Sequence, residues 1–180
     1  RLAKAEDAMA EQQKTPNGTN PAAAQGPVPV QIRVVGQFVK DLSFENPNIE
    51  RLFAGPGEDP NLQVEVNVAA QKRGDGLYES DINFKATANS KLGTIYLLEL
   101  VYGGLFKVDN IAPQQLEPFL LINCPTILFP FMRRIVADVT RDGGFPPLWL
   151  DPIDFGTLYM QRAQAAAAGG AAATSDKGKA

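Results

Sequence analysis

NCPTILFPFMRRIVADVTRDGG, residues 123–144, is the stretch around which the rest of the chain finds its place. Wound at about 100° per residue, Leu128, Phe129, Phe131, Met132, Ile135, Val136 and Val139 fall on one broad apolar arc. Arg133, Arg134, Asp138 and Arg141 occupy the remainder. Asn123 suits an N-cap, Pro125 a first turn and Gly143-Gly144 a left-handed exit. Pro130 removes a backbone bond within this span, so either the first turn is irregular or the regular helix starts near Phe129. The arc is wider than one small sheet needs as a cover. A helix with apolar surface to spare is the first hint of function.

Upstream, residues 28–45 change character sharply. Val30, Ile32, Val34, Gly36, Phe38, Leu42 and Phe44 share one parity that only Lys40 interrupts, while Gln31, Arg33, Gln37, Asp41, Ser43 and Glu45 stand on the other. This alternation predicts a long strand with one buried face and one wet face. Asp41 and Glu45 then point away from the core, and the plainest reading of two such acids is that they keep a strand soluble. Residues 46–60, with Pro47, Gly55, Pro56, Gly57 and Pro60, form a long irregular connection made apolar by Ile49, Leu52 and Phe53. Compact domains seldom keep such a link without a use, and it suits a lid over the core or one wall of a groove.

Three further strands are expected. Leu62, Val64, Val66 and Val68 alternate with polar neighbours up to a hairpin at 72–76, and Tyr78, Ile82, Phe84, Ala86 and Ala88 line one face of the return. After a turn near 90–93, residues 94–102 are apolar on both parities, with Tyr96, Leu98, Leu100 and Tyr102 opposite Ile95, Leu97, Glu99 and Val101. That pattern marks a central strand or a contact surface on the outer face. Gly103-Gly104 is expected to end the sheet, a short helix to occupy 114–122, and Asp154 to cap a final helix. The fold class is α+β: a four-stranded antiparallel sheet with helices. Residues 1–26 have the composition of a disordered tail, 27–164 form the domain, and 165–180 form a flexible Ala/Gly-rich tail.

Composition narrows the chemistry. The formal charge is -3, and the part between the tails is acidic, which argues against nucleic acid and suits a basic partner. There is no histidine, so Ser-His-Asp and Cys-His catalysis and histidine metal sites are excluded together. The one cysteine, Cys124, permits neither an internal disulfide nor a cysteine zinc cluster. The glycine pairs are turns, not phosphate cradles, and Asp41, Glu45 and Glu99 lack a metal-ligand spacing. No catalytic kit, cofactor or metal is expected. The N-terminus lacks the pattern of a secretory signal and the densest apolar run, 119–132, is too short to span a bilayer, so a cytoplasmic location is expected.

Four ordered blocks add a family resemblance. They are KDLSFENPN at 40–48, ELVYGGLF at 99–106, CPTILFP at 124–130 and GGFPPLWLDPIDF at 143–155. Together they resemble the SecB protein-export chaperone family over about residues 28–162. The resemblance implies a sheet with helices on one face, assembled as a dimer of dimers, that holds unfolded precursor proteins without ATP. It implies a client groove drawing on Phe44, Leu52, Phe53, Leu62, Val64, Tyr78, Ile135 and Val136. It also implies a partner, the SecA motor ATPase, whose basic zinc-bearing tail would dock on the outer sheet face at Asp41, Glu45, Leu97 and Glu99. A SecB-like holdase without SecA coupling is the alternative, and an enzyme acting on acyl thioesters is a third, for which no paired polar cluster speaks. The family often has a tryptophan in the connection after the first strand; here the single tryptophan is Trp149.

Overall fold

The computed structural model describes residues 29–52, 55 and 59–174. The expected tail at 1–26, Phe53 and the residues after 174 lie outside that description. Strands β1 (Gln31–Glu45), β2 (Asn61–Gly74), β3 (Leu77–Ser90) and β4 (Gly93–Asp109) form one antiparallel sheet in the order β1-β4-β3-β2. The two inner strands are therefore β3 and β4, which explains why β4 is apolar on both parities. A one-turn helix α1 (Ile49–Leu52) lies in the first connection, and α2 (Pro113–Pro118), α3 (Cys124–Asp142) and α4 (Phe155–Thr174) follow the sheet. The last helix continues to Thr174, past the expected boundary at 164.

One helix replaces the two expected. Helical structure is continuous over Pro113–Asp142, and residues 119–123 between α2 and α3 form a single wide π turn. Asn123 is itself helical and caps nothing. The wide turn precedes Pro125, which has no N–H to offer; the Cys124 N–H reaches back to the Phe119 carbonyl instead. By length and composition this helix is long and apolar enough to cross a membrane, a test that the core helix of a sheet passes equally, and here it packs on β3 and β4. Its C-terminus matches the expectation. Gly144 adopts φ +89°, the Phe145 N–H reaches the Thr140 carbonyl (3.1 Å) and the Gly144 N–H that of Arg141 (3.0 Å). Thr140 Oγ1 then accepts the Leu148 N–H (2.9 Å), tying the proline-rich exit back to the helix.

Leu128, Met132 and Val136 of α3 are fully buried against Ile82, Leu98, Leu100 and Phe106 of the inner strands. Gly104 makes the approach possible: a Cβ there would stand 2.6 Å from Leu128 Cδ2 and 2.8 Å from Phe106 Cε2. The Gly103-Gly104 pair therefore lies inside β4 and does not end it; the strand needs a gap there for the helix, not a turn. Phe44 stacks on Tyr96 at 5.6 Å and approaches Phe145 at 6.4 Å, closing the near end of the core.

The alternation of β1 is broken twice. Pairing with β4 shifts between Val34 and Gly36 and again between Val39 and Asp41, leaving Val35 and Lys40 as extra residues. Each such bulge exchanges the faces of the residues beyond it. Phe38 thus opposes Gly103 on the outer face, contrary to the single parity expected, and Val39 opposes Tyr102 on the helix side. After the second bulge, Leu42 and Phe44 return to the helix side with Leu100 and Leu98 as partners. The Lys40 ammonium reaches across the outer face to Glu79 Oε1 and Asp81 Oδ2, both at 2.6 Å. Arg73 Nε completes the cluster on Glu79 Oε2 at 2.7 Å.

Two measurements check this packing. Gly104→Ala should destabilise the fold by about 1–3 kcal/mol, read as a lower urea midpoint. Hydrogen bonds from Arg73 and Lys40 hold the Glu79 carboxyl at about 2, against an ordinary 4.5. Its ionised form therefore stabilises the fold above pH 4.5, and that contribution fades as pH falls toward 2. Asp81 has the opposite sign, because burial raises its pKa and favours its protonated form. The urea-midpoint gap between wild type and Glu79→Gln should be widest above pH 4.5 and close toward pH 2.

Candidate functional site

Two faces of the sheet carry different chemistry. On the outer face the β1–β4 register sets Asp41 opposite Val101, Ser43 opposite Glu99 and Glu45 opposite Leu97. Directly opposed residues of an antiparallel pair share a face. Asp41, Glu45, Leu97 and Glu99 thus form one patch on two adjacent strands. Asp41 and Glu45 are exposed, and the Glu99 carboxylate takes a 2.7 Å ion pair from Lys85 of β3. Leu97 is half-buried. The patch is three acids around Leu97, bordered by the cations Lys85 and Lys40.

On the helix side, the flanks of the sheet are bare. Ile32, Val34, Val39 and Leu42 of β1 and Leu62 and Val64 of β2 are each about two-fifths exposed. Ile135 of α3 is half-buried, and Phe131 is 45% exposed on the same helix. Val136 departs from its expected groove role: it is fully buried in the core, because the arc turns that side chain straight onto the sheet. Phe44 serves the core edge with Tyr96 and Phe145. Leu52 lies in α1 and Phe53 lies outside the described residues.

The expected groove residues do not meet in one place. Leu62 pairs with Ala88 and Tyr78 with Lys72, so they stand at opposite ends of β3, about 30 Å apart at the usual rise per residue. Tyr78 instead lines a groove of about 550 Å³ with Leu116, Leu120, Leu121, Tyr159 and Ala163, between β2, α2 and α4. A neighbouring hollow of about 580 Å³ is lined by Val68, Leu121, Leu158 and Arg162, and Arg162 Nη1 donates to the Val68 carbonyl at 2.7 Å. Sequence reasoning missed this second apolar region. The Leu116/Leu120 and Leu158/Arg162 spacings carry its only trace, and nothing in them reveals that α2 and α4 converge on β2. A third groove of about 590 Å³ runs between α3 and the segment after it, past Phe129, Pro130, Trp149 and Ile153. Trp149 is 67% exposed there.

Asn48, from the first block of the resemblance, donates from Nδ2 to the Thr94 carbonyl at 3.0 Å. This pins the start of the long connection to the start of β4. The Cys124 thiol is buried, and desolvation pushes its pKa up to about 12, so it is a packing residue and not a nucleophile.

Comparison with known proteins agrees with this architecture. The family described as preprotein translocase subunit SecB matches residues 24–166. The protein-export protein SecB of a Bradyrhizobium species is 46% identical over 84% of this chain and 92% of its own length. That of Rhodopseudomonas palustris is 42% identical over 91% of this chain and 96% of its own length. Among solved structures, a SecB-like chaperone of Mycobacterium tuberculosis in complex with a peptide from an antitoxin aligns with a TM-score of 0.56. It covers 68% of this chain and 90% of its own at 13% identity, a likeness of fold. With a family match over most of its length and relatives above two-fifths identity across it, the chain belongs to the SecB family.

Proposed function

We propose that this chain is an ATP-independent chaperone of protein export, working in the cytoplasm, that holds unfolded precursors and hands them to SecA. The observation that carries the reading is the apolar surface on the helix side that the protomer leaves uncovered at both flanks of its sheet. Covering one such two-fifths-exposed aliphatic side chain contributes about 1 kcal/mol. A single contact is weak, and many together hold a chain without regard to its sequence, since apolar burial is non-directional. Holding an unfolded chain is a mass-action effect and calls for no nucleotide.

The two flanks divide the work. β1 is an edge strand with open backbone groups and exposed Val34, Val35 and Val39, the kind of edge that a second copy covers. With the Trp149 groove beside α3 as a further contact, the assembly is a dimer of dimers. The separate apolar surfaces at Leu62 and Val64, at Ile135, and at Tyr78 in the α2–α4 groove are left for clients, and repetition over the copies raises the effective concentration of weak sites. The outer patch of Asp41, Glu45, Leu97 and Glu99 receives the basic tail of SecA. Coulomb attraction there mainly speeds encounter and fades with salt.

Stoichiometric protein should slow refolding of a precursor in the absence of ATP; undiminished refolding would overturn the chaperone reading. Combined Asp41→Ala, Glu45→Ala and Glu99→Ala should weaken SecA binding at least about tenfold at low salt and leave refolding arrest unchanged. Unaltered SecA affinity would favour a holdase that works without it. By sedimentation the wild type should run at four times the 19.4 kDa protomer mass, and Val39→Lys on the β1 edge should shift it to smaller species.

A further inference from the structure

Lys40 breaks the alternation of β1, and the structure gives that break a physical cause. Lys40 is the extra residue of the second bulge. Its ammonium stands 2.6 Å from both Glu79 and Asp81, two carboxylates whose side chains are only 8% exposed. Arg73 holds the other oxygen of Glu79 from β2. The cluster therefore ties β1 to β3 across β4, and β2 to its neighbour β3, with two cations on two carboxyl groups. Gly103 leaves the passage: a Cβ there would stand 2.6 Å from Asp81 Oδ1 and 3.1 Å from Lys40 Cδ.

The next residue is Asp41. If the bulge were lost by a one-residue slip, every side chain from Asp41 to Glu45 would change faces. Asp41 and Glu45 would turn to the helix side, and Phe44 would leave Tyr96 and Phe145. The segment 40–44 is thus held at both ends, by Lys40 on the outer face and by Phe44 in the core. We propose that the Lys40–Glu79–Asp81 cluster, completed by Arg73, is a positioning latch for the acidic docking patch, fixing the bulge that puts Asp41 and Glu45 on the outer face. This rests on the proposed role of that patch in binding SecA.

The sign of one substitution separates positioning from plain electrostatics. Lys40→Met removes a cation beside an acidic patch, so Coulomb attraction alone would tighten the grip on a basic tail. A latch predicts the reverse: SecA affinity falls about tenfold, amide exchange of residues 39–45 quickens, and Lys40→Arg restores both. Asp81→Asn, which keeps an oxygen for Lys40 and changes the fold less, should give a smaller loss in the same direction. Refolding arrest of a precursor, read in parallel, should stay at the wild-type level for each variant. Unchanged or tighter SecA binding by Lys40→Met and Asp81→Asn, in a protein whose Asp41/Glu45/Glu99 alanine variant does lose affinity, would overturn the latch alone. Loss of arrest together with affinity would reduce Lys40 to a general stability role and overturn it equally. If the alanine variant binds SecA normally, the patch reading itself fails.

Discussion

A helix is about 10 Å across and four strands at about 4.8 Å spacing span nearly twice that. One long helix therefore cannot cover this sheet. Laid along its middle, α3 closes on β3 and β4, where Ile82, Leu98, Leu100 and Phe106 disappear from solvent. β1 and β2 are left with apolar side chains about two-fifths exposed. α2 and α4 relieve part of this at one end of β2 without sealing it, which leaves the groove at Tyr78 and Tyr159. The uncovered flanks follow from the mismatch in widths. They are a property of the architecture and not a fault of the packing.

The close fit at the centre depends on absent side chains. Gly104 lets Leu128 descend onto β4, and Gly143 leaves space for the Phe44 ring at the end of α3. On the opposite face, Gly103 lets Lys40 reach two nearly buried carboxylates. Buried ion pairs add little net stability, because desolvation offsets much of the attraction, but breaking one is costly. Such a cluster is better suited to choosing one register than to strengthening the sheet. The helix side gathers apolar area for assembly and clients, and the outer side offers fixed charge. One strand, β1, contributes to both, and its two bulges allow it to do so.

Much of this is legible along the chain. Three alternating runs locate β1, β2 and β3, because a strand with one wet face writes its period directly into the sequence, and a run apolar on both parities locates the inner strand β4. The left-handed exit at Gly144 and the Asp154 cap, whose Oδ1 accepts the Thr157 N–H at 3.0 Å, are readable from local residue types. Parity places Asp41 and Glu45 outward, and the register agrees. It misplaces Phe38, since a bulge shifts parity without altering composition. The region around Asn123 misleads as well: its prolines suggest an interruption, whereas the helix runs on through one wide turn.

By itself the sequence determined the period of each element, the exit of one helix and the cap of the next, the lack of histidine chemistry and an apolar content beyond what a small core consumes. Those are local or compositional properties, set by residues within a few positions of one another. Only the tertiary structure decided that β1 lies beside β4, that Glu45 meets Leu97, and that Lys40 meets Glu79 and Asp81 about forty residues away. It also decided that Val136 is sealed while Leu62 and Val64 stay open. Such outcomes depend on which surfaces meet when a narrow helix settles on a wide sheet, and no periodicity along a single chain encodes that choice.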